Sequence, residues 1–364
     1  MIPGGVARLK MPRRFREGTR FGWIAVLGSL FLTGCAPPDD EVVELAASAT
    51  AAATVSGPRL TATHFIAADG AALPLRRWLP KAPVRAAILA LHGFNDYGNA
   101  FEMPATLWAE RGIATYAYDQ RGFGGAPGRG LWAGSAALAG DAAAAVSVLR
   151  RLHPGRPVYL LGESMGGAVA IAAATGAAGT PPAEADGVIL SAPALWGRPT
   201  MQLMPRLALW ATVRLFPAIT MSGQGLGIKP SDNEAMLRAL GRDPMVIKET
   251  RVLTVYGLVN LMDLALEAAP RFSAPALLLY GAHDEVIPAD PVRLFVSHLP
   301  PDPAHRRRLA YYPAGYHMLL RDLEGPVVAG DVAGWVLDPR APLPSHADAA
   351  EATPDWPPRR PPGG

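Results

Sequence analysis

The stretch that decides the fold is Val158-Tyr159-Leu160-Leu161-Gly162-Glu163-Ser164-Met165-Gly166-Gly167. Its first four residues are apolar, as in a buried strand, and residues 168–173 that follow it are typical of a helix. The pattern Gly-x-Ser-x-Gly lies between them. A turn this tight strains the serine backbone, and a glycine two residues before and after Ser164 avoids side-chain clashes. The sequence therefore predicts a sharp strand-to-helix turn that exposes the Ser164 hydroxyl at the helix N-terminus.

Strands and helices alternate on both sides of this turn. Apolar runs predict strands at 86–91, 113–118, 158–161, 187–190, 276–280 and 308–312. Helices are predicted at 101–111, 136–152 and 327–337, and residues 60–66 and 73–79 are predicted to form an antiparallel pair. Residues 193–270 interrupt the alternation and are predicted to be mostly helical. This arrangement favours an α/β fold with a mainly parallel sheet covered on both faces, carrying a helical insertion.

The charge distribution separates a basic leader from the rest of the chain. The chain has 364 residues and a formal net charge of +3, from 34 basic and 31 acidic residues. Residues 1–34 hold six of the basic residues and one acid, so the remainder carries a net charge of −2. No basic stripe with interleaved aromatic residues follows. The basic balance therefore gives no ground for nucleic-acid binding.

The leader has the pattern of a secretion signal. An apolar stretch, residues 21–32, follows the basic residues and runs into Leu32-Thr33-Gly34-Cys35. This ending resembles the lipobox of bacterial lipoproteins, which implies a signal peptide over 1–34 and a lipid attached to Cys35. Cys35 is the only cysteine, which fits an anchor. A plain signal peptide or membrane anchor with an incidental cysteine is the alternative.

Two low-complexity segments flank the predicted globular domain at 59–340. Residues 35–58 are rich in Ala, Thr and Pro and are predicted to be a flexible tether. The Pro-rich residues 341–364 are predicted to be disordered. The leader places the domain in a bacterial cell envelope, facing the periplasm or the surface. Ala36 stands where an Asp retention signal would stand, which favours the outer membrane.

A serine hydroxyl is a weak nucleophile and needs a base, and that base needs an orienting acid. His317 follows the predicted strand 308–312 in a loop that can reach Ser164, and we expect it to be the general base. His298 and His305 precede that strand among charged residues, and His346 lies in the Pro-rich tail. They are therefore weaker candidates for the base.

Asp284 follows the predicted strand 276–280 and is the expected acid, with Glu285 as the local competitor. The backbone N–H groups of Phe94 and Met165 are the expected oxyanion donors, because each follows a strand at the same sheet edge. His92 and Asp119 also follow strands. We interpret His92 as a buried, hydrogen-bonded loop residue and Asp119 as structural.

Five motifs occur in order along residues 60–338, and together they resemble the monoacylglycerol lipase and lysophospholipase group of α/β-hydrolases, which is related to serine aminopeptidases. They are His92-Gly93-Phe94-Asn95-Asp96, Asp119-Gln120-Arg121-Gly122-Phe123-Gly124, Gly162-Glu163-Ser164-Met165-Gly166-Gly167, Gly281-Ala282-His283-Asp284 and Gly315-Tyr316-His317. The resemblance implies the α/β-hydrolase fold and cleavage of carboxylic esters that carry an acyl chain.

Within this resemblance, residues 193–270 would be a cap over the site, and its apolar first part would be either a lid lining an acyl pocket or ordinary helical packing. We expect no cofactor and no metal, because no His-Glu-x-x-His or phosphate-loop pattern occurs. The expected partners are an acyl-ester lipid substrate and, through Cys35, a membrane. A peptidase, amidase or acyltransferase using the same three residues is the alternative within catalysis. A non-catalytic lipoprotein that binds a lipid or a partner is the alternative from another class.

Overall fold

A computed structural model describes residues 57–223, 227–348 and 356–358. The predicted signal peptide, Cys35 and all but the last two residues of the predicted tether lie outside the described residues. The expectations about cleavage and lipid attachment therefore remain predictions.

A nine-stranded sheet forms the centre of the described part of the chain, in the order β1-β2-β3-β5-β4-β6-β7-β10-β11. Six neighbouring strands, β5, β4, β6, β7, β10 and β11, are mutually parallel, and β3 joins β5 in antiparallel orientation. The strands are β1 (Arg59–Leu60), β2 (His64–Ile66), β3 (Ala72–Trp78), β4 (Ala86–Leu91), β5 (Ile113–Tyr118), β6 (Val158–Glu163), β7 (Gly187–Ser191), β8 (Thr220–Ser222), β9 (Glu249–Arg251), β10 (Ala276–Gly281) and β11 (Arg307–Tyr312). The prediction of a mainly parallel α/β sheet is confirmed.

Helices cover both faces of this sheet. Together with the helices of the cap, the helices in chain order are α1 (Glu102–Glu110), α2 (Ser135–Leu152), α3 (Met165–Thr175), α4 (Leu203–Leu215), α5 (Glu234–Arg242), α6 (Val252–Ala268), α7 (Ala289–Ser297) and α8 (Gly325–Leu337). All six residues of β4 are buried, and their side chains alternate between two apolar clusters. Leu89 packs on the face covered by α2, α3 and α6, and Ile88 packs on the face covered by α1 and α8. Burial on both faces explains why these strands read as continuous apolar runs.

The cap, residues 193–270, contains α4, α5 and α6 and a two-stranded antiparallel ribbon of β8 and β9 that the sequence did not predict. Asn233 begins α5 by accepting the Met236 N–H at its side-chain oxygen, at 3.1 Å. The segment Val252–Arg271 is the one candidate membrane span, by length and composition, among the described residues. It is 56% buried and packs against α3, as a core helix does.

The predicted antiparallel pair of residues 60–66 and 73–79 is confirmed for β2 and β3, but the first strand is shorter than predicted. Residues 60–66 do not form one strand, because the chain turns back at Thr61, whose Oγ1 accepts the His64 N–H at 2.9 Å. Strand β2 pairs with β1 on one side and with β3 on the other, both in antiparallel orientation. The helix α7 was also missed.

The tail prediction is wrong for the residues that the structure describes beyond 340. Leu343 and Trp356 are each 1% exposed, so both side chains are part of the core. The Ser345 N–H donates to Asp331 at 2.9 Å, and Asp348 accepts a hydrogen bond from Arg308 at 2.8 Å. Two buried apolar side chains and these polar contacts hold residues 341–348 and 356–358 on the domain, although the segment is rich in proline.

Candidate active site

The turn at Ser164 has the strained geometry that its sequence predicts. Ser164 has a backbone φ of 52° and ψ of −116°, in a region that side chains other than glycine rarely adopt. A Cβ atom on Gly162 would lie 2.1 Å from the Gly166 carbonyl oxygen, and one on Gly166 would lie 2.1 Å from that of Leu91. The Ser164 N–H donates to the Ser191 carbonyl at 3.0 Å. Tight packing therefore holds Ser164 at the N-terminus of α3.

Ser164, His317 and Asp284 form a hydrogen-bonded chain. The His317 Nε2 atom lies 2.9 Å from the Ser164 Oγ, and its Nδ1 atom lies 2.9 Å from the Asp284 Oδ2. Because a carboxylate only accepts, Nδ1 carries the proton and Nε2 is left to accept the serine proton. The structure thus brings together the three residues that the sequence singled out, from loops after β6, β10 and β11. A chain of this kind can activate the serine for attack on a carbonyl carbon.

The Asp284 carboxylate is fixed at both of its oxygens. Its Oδ1 accepts the N–H groups of Val286 at 2.9 Å and Ile287 at 2.8 Å, while Oδ2 meets His317. Glu285, the competitor, accepts the Lys229 N–H instead and is exposed. Asp284 is therefore the acid that orients His317. The alternative bases His298, His305 and His346 make no contact with Ser164 within the described part of the chain.

Opposing effects set the pKa of His317. Burial, the largest effect, lowers it, because a charged imidazolium loses its hydration. The Asp284 carboxylate raises it by its charge and its hydrogen bond, and Glu163 adds to this, while Arg321 opposes it. The net result is a His317 pKa above its ordinary value of 6.5. The site therefore favours the imidazolium that forms when His317 takes a proton.

The two expected oxyanion donors flank the serine. A Cβ atom on Gly93 would lie 3.4 Å from the Ser164 Cβ, so the loop that carries Phe94 passes directly beside the nucleophile. Met165 begins α3 immediately after Ser164. Neither the Phe94 N–H nor the Met165 N–H has an acceptor among the described residues. Both are thus free to bind an oxyanion next to Ser164.

His92 and Asp119 have the structural roles that we expected. The buried His92 places Nδ1 2.8 Å from the Gly93 carbonyl and accepts the Gln120 N–H at Nε2, at 2.9 Å. Burial lowers its pKa, so it stays neutral and ties the Phe94 loop to the neighbouring one. Asp119 accepts the N–H groups of Gly98 and Gly125.

A buried ion cluster beneath the site was missed by the sequence reasoning. The Arg321 guanidinium donates to Asp96 at 2.8 Å and to Glu163 at 2.6 Å, and all three residues are at most 5% exposed. We call these residues the Arg321 cluster. Each lies inside or beside a motif, but they are separated by up to 225 residues, and no local pattern could have paired them.

The cap meets the catalytic loops through polar contacts on one side. The Ser231 Oγ donates to Asp322 at 2.6 Å, and the other oxygen of Asp322 accepts the Tyr316 N–H at 2.7 Å. The Met318 N–H donates to the Pro230 carbonyl at 2.9 Å. The Asn233 Nδ2 also donates to the Arg321 carbonyl at 3.0 Å, and we call this set the 230–233 contact. It links the cap directly to the loop that carries His317.

The opposite side of the cap is apolar and exposed. Side chains of α4 and the segment after it are between 45% and 72% exposed, although most globular surfaces avoid such patches. We call these residues the outer cap face, and they are Leu203, Met204, Leu207, Trp210, Leu215, Phe216, Ile219 and Met221. Only Val213 of α4 is buried. Ordinary packing of a small helical insertion therefore does not explain the apolar side chains of the outer cap face.

No group of three or more His, Cys, Asp or Glu side chains that could hold a metal ion occurs in the residues described above. The Ser164, His317 and Asp284 chain supplies a nucleophile, a base and an orienting acid from the protein itself. The arrangement can therefore carry out acyl transfer to water with groups of this chain alone.

Comparison with known proteins agrees with this geometry. The family model Hydrolase_4, described as serine aminopeptidase S33, matches residues 82–324, which include Phe94, Ser164, Asp284 and His317. The monoacylglycerol lipase of Mycolicibacterium smegmatis is 26% identical over 277 residues, covering 75% of this chain and 95% of the relative. The human monoglyceride lipase is 25% identical over 268 residues, covering 71% and 84%.

Solved structures share the fold. A soluble variant of the monoglyceride lipase from Saccharomyces cerevisiae, in complex with a substrate analogue, superposes with a TM-score of 0.62 at 21% identity, covering 79% of this chain and 98% of that one. The Paleococcus ferrophilus monoacylglycerol lipase gives a TM-score of 0.58 at 23% identity, covering 73% and 98%. The chain therefore belongs to the serine aminopeptidase S33 family, and it is an α/β-hydrolase of the carboxylic ester hydrolase class that resembles monoacylglycerol lipases.

Proposed function

We propose that this enzyme cleaves esters of acyl lipids, of the monoacylglycerol or lysophospholipid type, through Ser164, His317 and Asp284. The observation that carries the proposal is the unbroken hydrogen-bonded chain from Ser164 through His317 to Asp284, with two free N–H donors beside it. Support for a lipid substrate comes from the relatives named as monoacylglycerol lipases and from the outer cap face, which is suited to lipid.

The first half of the reaction forms an acyl-enzyme. The Ser164 Oγ attacks the ester carbonyl carbon while His317 Nε2 takes its proton, and the imidazolium is held by Asp284. The carbonyl oxygen becomes an oxyanion that accepts hydrogen bonds from the N–H groups of Phe94 and Met165. When the intermediate collapses, the bond to the alcohol oxygen breaks, and His317 donates its proton to that oxygen.

The second half releases the acid. His317, again neutral, takes a proton from a water molecule, which attacks the acyl carbonyl. The bond to Ser164 then breaks, and the proton returns from His317 to the Ser164 Oγ. Every proton passes through His317 Nε2, so this atom has to lie within hydrogen-bond reach of both Ser164 and the leaving group.

Turnover on several substrates side by side tests the substrate class. We expect hydrolysis of a monoacylglycerol and of a lysophospholipid, with much slower cleavage of an aminoacyl amide of similar size. Amide cleavage without a preference for esters would favour a peptidase or amidase, and acyl transfer to an added alcohol in preference to water would favour an acyltransferase.

Labelling with a fluorophosphonate probe separates an enzyme from a non-catalytic lipid-binding protein. The wild type should be labelled at Ser164, whereas a folded Ser164→Ala variant should not. An unlabelled wild type would contradict the proposed catalytic role.

We propose in addition that a lipid on Cys35 anchors the enzyme in a bacterial cell envelope, favouring the outer membrane. The support is the Leu32-Thr33-Gly34-Cys35 ending of the leader and the single cysteine. Cys35→Ser should release the protein from the membrane fraction or block processing. Unchanged membrane retention would contradict lipid attachment.

A further inference from the structure

Three segments of the site each place one charged side chain in the Arg321 cluster. Asp96 lies two residues after the oxyanion donor Phe94, and Glu163 directly precedes Ser164. Arg321 lies four residues after His317. The guanidinium joins the other two segments with one hydrogen bond each, at 2.8 Å to Asp96 and 2.6 Å to Glu163.

We infer that Arg321 is a positioning residue that holds the Phe94 N–H, the Ser164 Oγ and the His317 Nε2 in their mutual geometry. The inference rests on the proposed function and deepens it. Arg321 does not touch the reacting atoms but acts through the loops that carry them. A displacement of about 1 Å in such groups can cost about 100-fold in rate, so a fixed cross-link between the loops has a large effect.

The chemistry of the guanidinium suits this role. Its planar fork presents separate N–H donors in fixed directions, so it can bridge two carboxylates that come from different loops. A lysine ammonium in the same place would supply the charge but no rigid bridge. A buried ion pair is weak evidence for stability, because desolvating the charges offsets their attraction. The cluster is therefore better explained by the positions that it fixes in the catalytic loops than by a contribution to folding stability.

Charged groups around His317 influence its pKa, and this influence can be measured. Asp284 faces it from the loop after β10, Glu163 from the end of β6, and Arg321 from its own loop. Asp322, bonded to Ser231 of the cap, and Lys229, over the ring of Tyr316, lie farther out. Asp96 lies behind Arg321.

Glu163 raises the pKa of His317, and Arg321 lowers it. Glu163→Gln keeps an acceptor for Arg321 and removes the negative charge. The midpoint of the acid limb of kcat/KM should therefore move to lower pH. An unchanged midpoint would contradict the electrostatic effect of Glu163 on His317.

Three variants test the positioning role of Arg321. They are Arg321→Met, Arg321→Lys and a triple variant that combines Asp96→Asn, Glu163→Gln and Arg321→Met. Arg321→Met should lower kcat about 100-fold with little change in KM. Arg321→Lys should lower kcat about 10-fold while keeping the position of the acid limb, because the charge remains. The triple variant carries no unpaired buried charge, so it should recover the thermal stability that Arg321→Met loses, yet its kcat should stay low.

Arg121 supplies a matched control. It also binds two carboxylates, Asp69 and Asp141, but joins no loop that carries a triad residue or an oxyanion donor. Arg121→Met should lower the thermal stability and leave kcat near the wild-type value.

A wild-type kcat in Arg321→Met, or recovery of both stability and kcat in the triple variant, would overturn the positioning role. If Arg321→Met does not fold, the Arg321→Lys and triple variants carry the test. If the wild type itself hydrolyses no ester and takes no fluorophosphonate label, the proposed function fails, and this result is separate from any result on Arg321.

Discussion

The residues around Ser164 and the outer cap face are built in opposite ways. His317 and Asp284 are buried, and every polar atom of their chain has a partner at about hydrogen-bond distance. On the outer cap face, Met204 is 72% exposed and Trp210 is 54% exposed, and the Arg214 guanidinium lies 4.5 Å from the centre of the Trp210 ring. One region uses burial and directed hydrogen bonds to fix atoms, and the other presents apolar area. The proposed function assigns the chemistry to the first region and contact with the lipid substrate to the second.

Substitution of the nucleophile should abolish catalysis without changing the outer cap face. Ser164→Ala removes the attacking oxygen, and we expect kcat to fall by about 10⁶-fold. Binding of a lipid dispersion through the outer cap face should persist, because that face is untouched. Steady-state kinetics and a vesicle co-sedimentation assay measure the two properties on the same sample. Retention of more than a small fraction of activity would mean that another residue attacks.

Substitution of the acid tests how His317 is oriented. Asp284→Asn keeps the shape of the side chain but favours the wrong tautomer of His317, so kcat should fall by about 10⁴-fold. The same change at the exposed neighbour, Glu285→Gln, should leave kcat close to wild type, because the partner of Glu285 among the described residues is the Lys229 N–H. Comparable losses in both variants would contradict the assignment of the acid.

The pH dependence follows from the pKa of His317. The neutral imidazole is the active base, and its pKa lies above the ordinary value of 6.5. Activity should therefore be lost as the pH falls through a midpoint above 6.5, about tenfold for each further pH unit. A pH profile of kcat/KM on a soluble short-chain ester measures this, and a midpoint below 6.5 would contradict the electrostatic account.

The same shift has the opposite consequence for stability. Since the folded pKa is raised above the unfolded one, the contribution of His317 to stability is complete below the unfolded pKa of about 6.5 and declines as the pH rises through the folded pKa. The enzyme should thus gain stability from His317 in the pH range where it loses activity. Thermal unfolding measured across the same pH series checks the sign.

The 230–233 contact should couple the cap to the base. Ser231→Ala removes the donor to the buried Asp322, which also holds the Tyr316 N–H beside His317. We expect kcat to fall about 10-fold, with a loss of about 1–3 kcal/mol in unfolding free energy for the unpaired oxygen. Ser297→Ala is the matched control, because the Ser297 hydroxyl bonds only within α7 at an exposed position. Equal kcat values in Ser231→Ala and Ser297→Ala would show that the 230–233 contact does not affect catalysis.

The outer cap face should show the smallest and most selective effect. Leu207→Ser with Trp210→Ser removes apolar area without opening the core, and we expect the apparent KM on dispersed lipid to rise by about 10-fold. Hydrolysis of a soluble short-chain ester should be unchanged. Leu152→Ser, at a residue of α2 that is 50% exposed, controls for a general loss of apolar surface. Equal changes on soluble and dispersed substrates would remove the distinction between the two regions.

Local patterns were sufficient for the residues that react. Ser164, Asp284 and His317 each follow a strand of the parallel sheet, and parallel strands bring their carboxyl ends to one edge of a sheet. The Arg321 cluster was not predicted, since its members pair over 158 and 225 residues and no periodicity encodes such a contact. Burial of Leu343 and Trp356 was also missed. A Pro-rich composition predicts disorder, but two apolar side chains that find a place in the core outweigh it.

The central claim is that Ser164 forms an acyl-enzyme during ester hydrolysis. Mixing the wild-type enzyme with a monoacyl ester, quenching in acid within one turnover, and mapping peptides by mass spectrometry tests it most directly. The peptide that contains Ser164 should carry the mass of the acyl group, and the same peptide from Ser164→Ala should not. Ester turnover by the wild type without an adduct on Ser164, or with the adduct on another residue, would contradict the account.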